Sequence, residues 1–241
     1  MERVWFKNRL PVLWWDQPTR FRDPANAFEE LVSAAERQLK KLNESNRRPI
    51  GLIAHSSGAQ IAVELTRRVP ERIRSLTLLS CSASVPEAFV RLGSRLAAEH
   101  GFLEPLVASA EARLSAETFW PLLRGINSIP SFTDCYWKSA SARARYNEIA
   151  KGCRPLHAKT FQLVMENLLD RPPLLFKPGG IDSKVPVNCF FGTHDLLQDI
   201  EDAGTRWSRI FPWARLHRLD CGHFPQFETA VEAWFKPFST S

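Results

Sequence analysis

The chain has 241 residues, 44% of them hydrophobic and 24% charged, a make-up that suits a globular protein with a sizeable core and excludes disordered, collagen-like and low-complexity classes. Its formal charge of +6 is dispersed, with ten basic against seven acidic side chains even in residues 1–50, so no nucleic-acid partner is expected. No apolar run approaches the ~20 residues of a membrane span, and the charge-broken opening Met1–Arg9 does not read as a secretory leader, so a cytoplasmic setting is expected.

The apolar run Leu10–Trp15, closed by Asp16-Gln17-Pro18, reads as a buried strand. Asp23-Pro24 supplies a helix N-cap with proline at the first helical position, and Ala27, Phe28, Leu31, Val32, Ala35 and Leu39 then recur at helical spacing. A strand over Pro49–Ala54, a helix over Ala59–Val69 stopped by Pro70, and a strand over Ile73–Leu79 follow. Strands alternating with helices through short connections predict a parallel sheet with crossover helices, the α/β class.

Residues 84–180 carry helical patterns around 87–99, 103–114, 133–150 and 156–169, punctuated by prolines such as Pro105, Pro121 and Pro130, and nothing in them reads as a strand. Beyond Gly179-Gly180 the alternation resumes: a strand over Val185–Phe191, a helix over Ile200–Ile210, a strand over Ala214–Leu219 and a helix over Thr229–Phe238. The organisation expected is an α/β core from 1–83 and 181–241, interrupted by a helical insertion over 84–180.

The segment Ala54-His55-Ser56-Ser57-Gly58 follows a strand and opens a helix, with small residues two before and two after Ser56. A nucleophile on so sharp a turn needs small neighbours because the backbone is crowded there. Centring the pattern on Ser57 instead would put His55 where a small side chain is required, so Ser56 is the candidate nucleophile and the Ser57 N–H a candidate oxyanion donor. A serine hydroxyl needs a base, and the base an orienting carboxylate. Asp195, in the turn after the Val185–Phe191 strand, and His223, in the loop after Ala214–Leu219, supply them, with Asp199 and Asp202 as alternative acids.

At these positions the chain resembles the α/β-hydrolase superfamily over about residues 10–80 and 184–238. Ile53–Ala59 is similar to its nucleophile elbow, Val69–Leu79 to its helix end and following strand, Val185–Asp195 to its acid-bearing strand, and Gly222-His223-Phe224-Pro225 with Glu228 to its histidine loop. The resemblance implies a mostly parallel sheet with flanking helices, Ser56 as nucleophile, Asp195 as acid, His223 as general base, and residues 84–180 as a helical cap over the site.

Two departures stand out. Members usually carry a strand ending in His-Gly whose loop gives the second oxyanion N–H, and no His-Gly occurs among the 55 residues before Ser56. Val4-Trp5-Phe6 stands where that strand would run, with Lys7 or Asn8 at its turn. Asp16-Gln17-Pro18-Thr19 also replaces a glycine-rich turn. One oxyanion donor is worth ~3 kcal/mol of barrier. A sheet short of its first strands leaves an edge that a second copy of the chain would cover, so a homo-oligomer is an expectation.

The activity expected is hydrolysis of a small or medium, largely apolar carboxylic ester or thioester through an acyl-enzyme; the alternative is a weak or inactive hydrolase-fold protein that binds a ligand. Eight tryptophans are many for this length, and Trp14, Trp120 and Trp137 are candidates for an apolar substrate lining, with packing as their other role. His55 and His194 are expected to pack or face solvent, and His217 to lie on a solvated strand face. Five scattered cysteines without a C-x-x-C pair point to reduced thiols rather than disulfides or zinc, and no metal or cofactor is expected.

Overall fold

The computed structural model describes residues 12, 13, 15–46, 48–130, 132–151, 158–170 and 185–235. Helix α1 (Ala27–Asn46) leads to strand β1 (Ile50–His55), α2 (Gly58–Arg68) and β2 (Ile73–Leu79). Helices α3 (Val85–Ala97), α4 (Glu104–Ala112), α5 (Ala116–Asn127), α6 (Ala140–Lys151) and α7 (Ala158–Asp170) follow before β3 (Val187–Gly192). The chain continues through α8 (Ile200–Ile210), β4 (Arg215–Leu219) and the single turns α9 (Pro225–Glu228) and α10 (Glu232–Phe235). Among the described residues the sheet has four strands in the order β1-β2-β3-β4, all parallel. This is the α/β architecture that the alternating pattern predicts.

Side-chain alternation divides the sheet into two faces. On β3, Val187, Cys189 and Phe191 enter the main core with Leu76 and Leu78 of β2 and Trp207 of α8. Phe190 points the other way, with Leu79 and Trp234 of α10. The central strands β2 and β3 are buried on both faces, which is why these two read as near-continuous apolar runs. The helices between β2 and β3 have a core of their own, in which Leu92 of α3, Val107 of α4 and Leu122 and Ile126 of α5 meet.

Register decides where loops emerge. His55 pairs with Leu79, Leu79 with Phe190, and Gly192 with Leu219, so the carboxyl ends of all four strands fall along one edge. Ligands of open α/β sheets bind at that edge.

Several expectations change. Of the strand foreseen over Leu10–Trp15, the described residues Val12, Leu13 and Trp15 are not in a strand; Leu13 is exposed while Trp15 packs on the main core, and the proline at 11 has no N–H to give a ladder. Helix α5 forms straight through Pro121, because Ser115 and Thr118 close a capping box at its start and Phe119, Leu122, Leu123 and Ile126 are buried on one face. The helix foreseen over 133–150 is a 3-10 turn at Phe132–Tyr136 and then α6. His217 is half-buried, not solvated: it stacks on Phe190 at 4.4 Å, and its Nε2 lies 2.9 Å from Asn188 Oδ1. No helix among the described residues is long and apolar enough to cross a membrane.

Candidate active site

Only Ser56 and Ser57 separate the end of β1 from the start of α2. Turning the chain in so little space drives Ser56 into the left-handed region, φ 53°, which costs an L-residue about 1–2 kcal/mol. Its N–H donates to the Leu79 carbonyl at 3.0 Å, pinning the turn to β2. Ser57 stands at the N-cap of α2, and none of the described residues accepts a hydrogen bond from its N–H. An orphan donor at the positive end of a helix is suited to a developing negative charge.

Asp195 sits in the turn after β3, where its N–H donates to the Gly192 carbonyl. Its Oδ1 accepts the Leu197 N–H at 3.0 Å and its Oδ2 lies 2.7 Å from His223 Nδ1. On the far side of the ring, His223 Nε2 lies 2.9 Å from Ser56 Oγ. With Nδ1–H donated to the carboxylate, a neutral imidazole leaves Nε2 free to accept the serine proton. Asp195 is 4% exposed and His223 5%, so the pair is shielded from competing water. The alternative acids are used elsewhere: Asp199 caps α8 through the N–H groups of Glu201 and Asp202, and Asp202 pairs with Arg206.

The histidine loop is held from four directions. The His223 N–H donates to the Tyr136 carbonyl at 2.7 Å. The Nε2–H of His55 donates to the His223 carbonyl at 2.9 Å. The Glu228 carboxylate bridges the loop to the chain ahead of α6, accepting from the Gly222 N–H at 2.5 Å and the Ser139 N–H at 2.6 Å. Trp137 stacks on Phe224 with ring centres 4.5 Å apart. Two glycines permit the close approach: a Cβ at Gly192 would run into the carbonyls of Cys221 and Gly222, and one at Gly222 into that of Tyr136.

The thiols around this site stay neutral. Burial, with the Asp195 charge adding to it, pushes Cys135 up to about 12. Burial also takes Cys221 to about 12, with the charges of Glu228 and Asp195 adding to it. Cys81 is raised well above the ordinary thiol value, again by burial first. A thiolate is therefore not the nucleophile that this region offers at neutral pH. Among the described residues, no three His, Cys, Asp or Glu side chains are grouped so as to hold a metal ion.

The structure thus brings Ser56, His223 and Asp195 within hydrogen-bonding distance and sets Ser57 beside them. Trp137 stands next to the histidine loop. Trp120 belongs to a different cluster, against Phe119 and Phe161, with its indole N–H buried and without an acceptor among the described residues. Trp14, Lys7 and Asn8 lie outside the described residues. His55, read from the sequence as packing, and the Tyr136–Ser139 segment emerge as supports of the histidine loop; Glu228 was legible only as part of the histidine-loop pattern.

A serine at a left-handed strand-to-helix turn, faced by a histidine and an acid from later strand ends, places the molecule among α/β folds built around a sheet-edge site. The chain belongs to the alpha/beta hydrolase family, whose model matches residues 13–236. Among solved structures it is similar to a proline iminopeptidase-related protein from Thermus thermophilus, with TM-score 0.71 and 22% identity over 98% of this chain and 81% of that one. It is also similar to an enol-lactonase from Burkholderia xenovorans, with TM-score 0.54 and 20% identity over 88% and 74% of the two chains. A third similarity is to an alpha/beta fold family hydrolase from Bacillus anthracis, with TM-score 0.54 and 16% identity over 86% and 72%. At these identities the likeness is one of fold. No curated protein sequence gives a significant match.

Proposed function

We propose that the protein is a serine hydrolase that cleaves a small or medium, largely apolar carboxylic ester or thioester. The observation that carries this is the unbroken chain from Ser56 Oγ through both nitrogens of His223 to Asp195, at 2.9 and 2.7 Å. As Ser56 Oγ attacks the substrate carbonyl carbon, its proton passes to His223 Nε2, and the Asp195 carboxylate stabilises the resulting imidazolium. The carbonyl oxygen takes the negative charge beside the Ser57 N–H at the start of α2. Collapse breaks the bond to the leaving alcohol or thiol, which takes the proton back from His223, and the acyl group remains on Ser56. Water then attacks the acyl carbon, giving its proton to Nε2, and the second collapse releases the acid and restores the serine.

Residues 84–180 serve in this proposal as a cap over the sheet edge, supported by the helices α3–α7 that fill its described parts and by the bonds from Tyr136 and Ser139 to the histidine loop. Trp137 is assigned to the apolar lining on the strength of its stack against Phe224, the residue after His223. The same role is proposed for Trp120 and Trp14. A reducing, cytoplasmic setting fits the free thiols of Cys81, Cys135, Cys189 and Cys221.

The test is a panel of nitrophenyl esters and acyl-CoA thioesters of increasing chain length, read by steady-state turnover and by mass spectrometry of the quenched enzyme. Turnover of some members with an acyl mass on the peptide containing Ser56 is the expected result. Turnover that survives in Ser56→Ala, or tight binding of esters with no acyl adduct and no product, would overturn the proposal.

A further inference from the structure

We propose that His55 is a positioning residue: its ring fixes the backbone of His223 and so holds the general base over Ser56. This rests on the hydrolase function proposed above and adds a residue to it. His55 is the last residue of β1, one peptide bond before Ser56, so it shares the rigid frame of the nucleophile. Its Nε2 lies 2.9 Å from the carbonyl oxygen of His223, a residue 168 positions away. A carbonyl can only accept, so Nε2 carries the hydrogen, whether the ring is neutral or charged. The His55 ring also stands 5.1 Å from the His223 ring and 5.1 Å from that of Phe224.

The geometry gives this contact a purpose beyond filling space. The hydrogen bonds at the His223 ring set its rotation, but the origin of the side chain is set by the backbone. That backbone is gripped on its N–H by Tyr136, from the segment ahead of α6, and on its carbonyl by His55. Tyr136 ties the loop to the helical segment, whereas His55 ties it to the strand that carries the nucleophile. Motion of the helical segment therefore moves the base relative to Ser56 unless the second tie holds. Rates of acyl transfer depend steeply on sub-ångström placement of base and nucleophile, so loss of this tie should act on the chemical step and not on substrate binding.

The test compares His55→Phe, which keeps a flat ring against His223 and Phe224 but has no donor, with His55→Gln, whose amide nitrogen reaches about as far as Nε2. Each is assayed for turnover of the best ester and for its rate of fluorophosphonate labelling at Ser56, with thermal melting as a control. We expect H55F to lower kcat about tenfold at unchanged KM, the effect of one hydrogen bond on the barrier, and H55Q to recover most of the loss. Equal rates for H55F and the wild type, or equal losses in both variants, would overturn the inference. Should H55F fail to fold, His55→Asn replaces it, with a donor too short to reach, and wild-type rates in that variant would overturn the inference as well. A wild-type protein that neither labels nor turns over would remove the hydrolase proposal and this inference together. A labelled wild type with an undiminished H55F would remove this inference alone.

Discussion

Replacing Asp195 by asparagine changes one atom in a nearly closed site, and the hydrogen bonds around it dictate the outcome. The two carboxylate oxygens have separate partners: Oδ1 takes the Leu197 N–H at 3.0 Å and Oδ2 faces His223 Nδ1 at 2.7 Å. An asparagine has one acceptor and one donor for these two places. Turning its oxygen to His223 would set its NH2 against the Leu197 N–H, two buried donors face to face, at a cost of about 1–3 kcal/mol. The favoured orientation leaves the oxygen on Leu197 and the NH2 against Nδ1, which must then accept. The ring proton moves to Nε2 and points at Ser56 Oγ, so the base offers a donor where the reaction needs an acceptor. In serine hydrolases this wrong tautomer costs about 10⁴ in kcat, or about 5–6 kcal/mol of barrier. Steady-state turnover of a nitrophenyl ester and the second-order rate of fluorophosphonate labelling, both at about pH 7.5, measure it directly. An Asp195→Asn variant that folds yet loses less than about tenfold would refute the assignment of the acid.

Other consequences can be checked with the same protein. Glu228→Gln gives up one of the two N–H contacts that join Gly222 to Ser139, and is expected to lower stability by about 1–2 kcal/mol and to slow labelling of Ser56; urea unfolding with no change in midpoint would contradict the bridge. Burial alone would raise the pKa of Glu64, but its hydrogen bonds and ion pairs with Arg67 and Arg68 outweigh it and hold the carboxyl below its ordinary value. The stability it supplies is therefore complete above the ordinary carboxylate range and lost as pH falls through its folded value, so the wild type should lose more stability between about pH 7 and pH 3.5 than Glu64→Gln does. Equal losses would contradict this. With Cys135 and Cys221 raised to about 12, only about 10⁻⁴ of either is thiolate at pH 8. Iodoacetamide mapping of the native protein should leave both unmodified along with buried Cys81 and Cys189, and rapid alkylation of Cys135 or Cys221 would contradict the neutral thiols.

Strands β1, β2 and β3 were legible because each is a short, largely apolar run ended by a turn, whereas β4 alternates leucine with arginine and histidine; the order of Ser56, Asp195 and His223 followed from the turns after the strands. Their meeting depends on register, which pairs His55 with Leu79 and Gly192 with Leu219 and which sequence pattern alone does not state. Helix α5 was hidden by Pro121, whose effect on a helix is local and was outweighed by a capping box and a buried face that only tertiary packing rewards. The part played by His55 was hidden for a different reason. A histidine before a candidate nucleophile carries no signal of its own, since its partner is a backbone carbonyl, a group that every residue offers. The Tyr136 contact is a main-chain bond as well, and has no side-chain signature to find. The packing of Trp120 against Phe119 and Phe161 was hidden as well, because an aromatic residue in a helical stretch does not name its neighbours.

The most direct measurement is peptide mapping after treatment with a fluorophosphonate probe, made on the wild type and on Ser56→Ala and Ser57→Ala. One phosphonyl group on Ser56, absent from Ser56→Ala and still present in Ser57→Ala, is the predicted result. Modification at Ser57, at any other serine, or nowhere in a folded protein would contradict the assignment of Ser56 as the group that His223 activates.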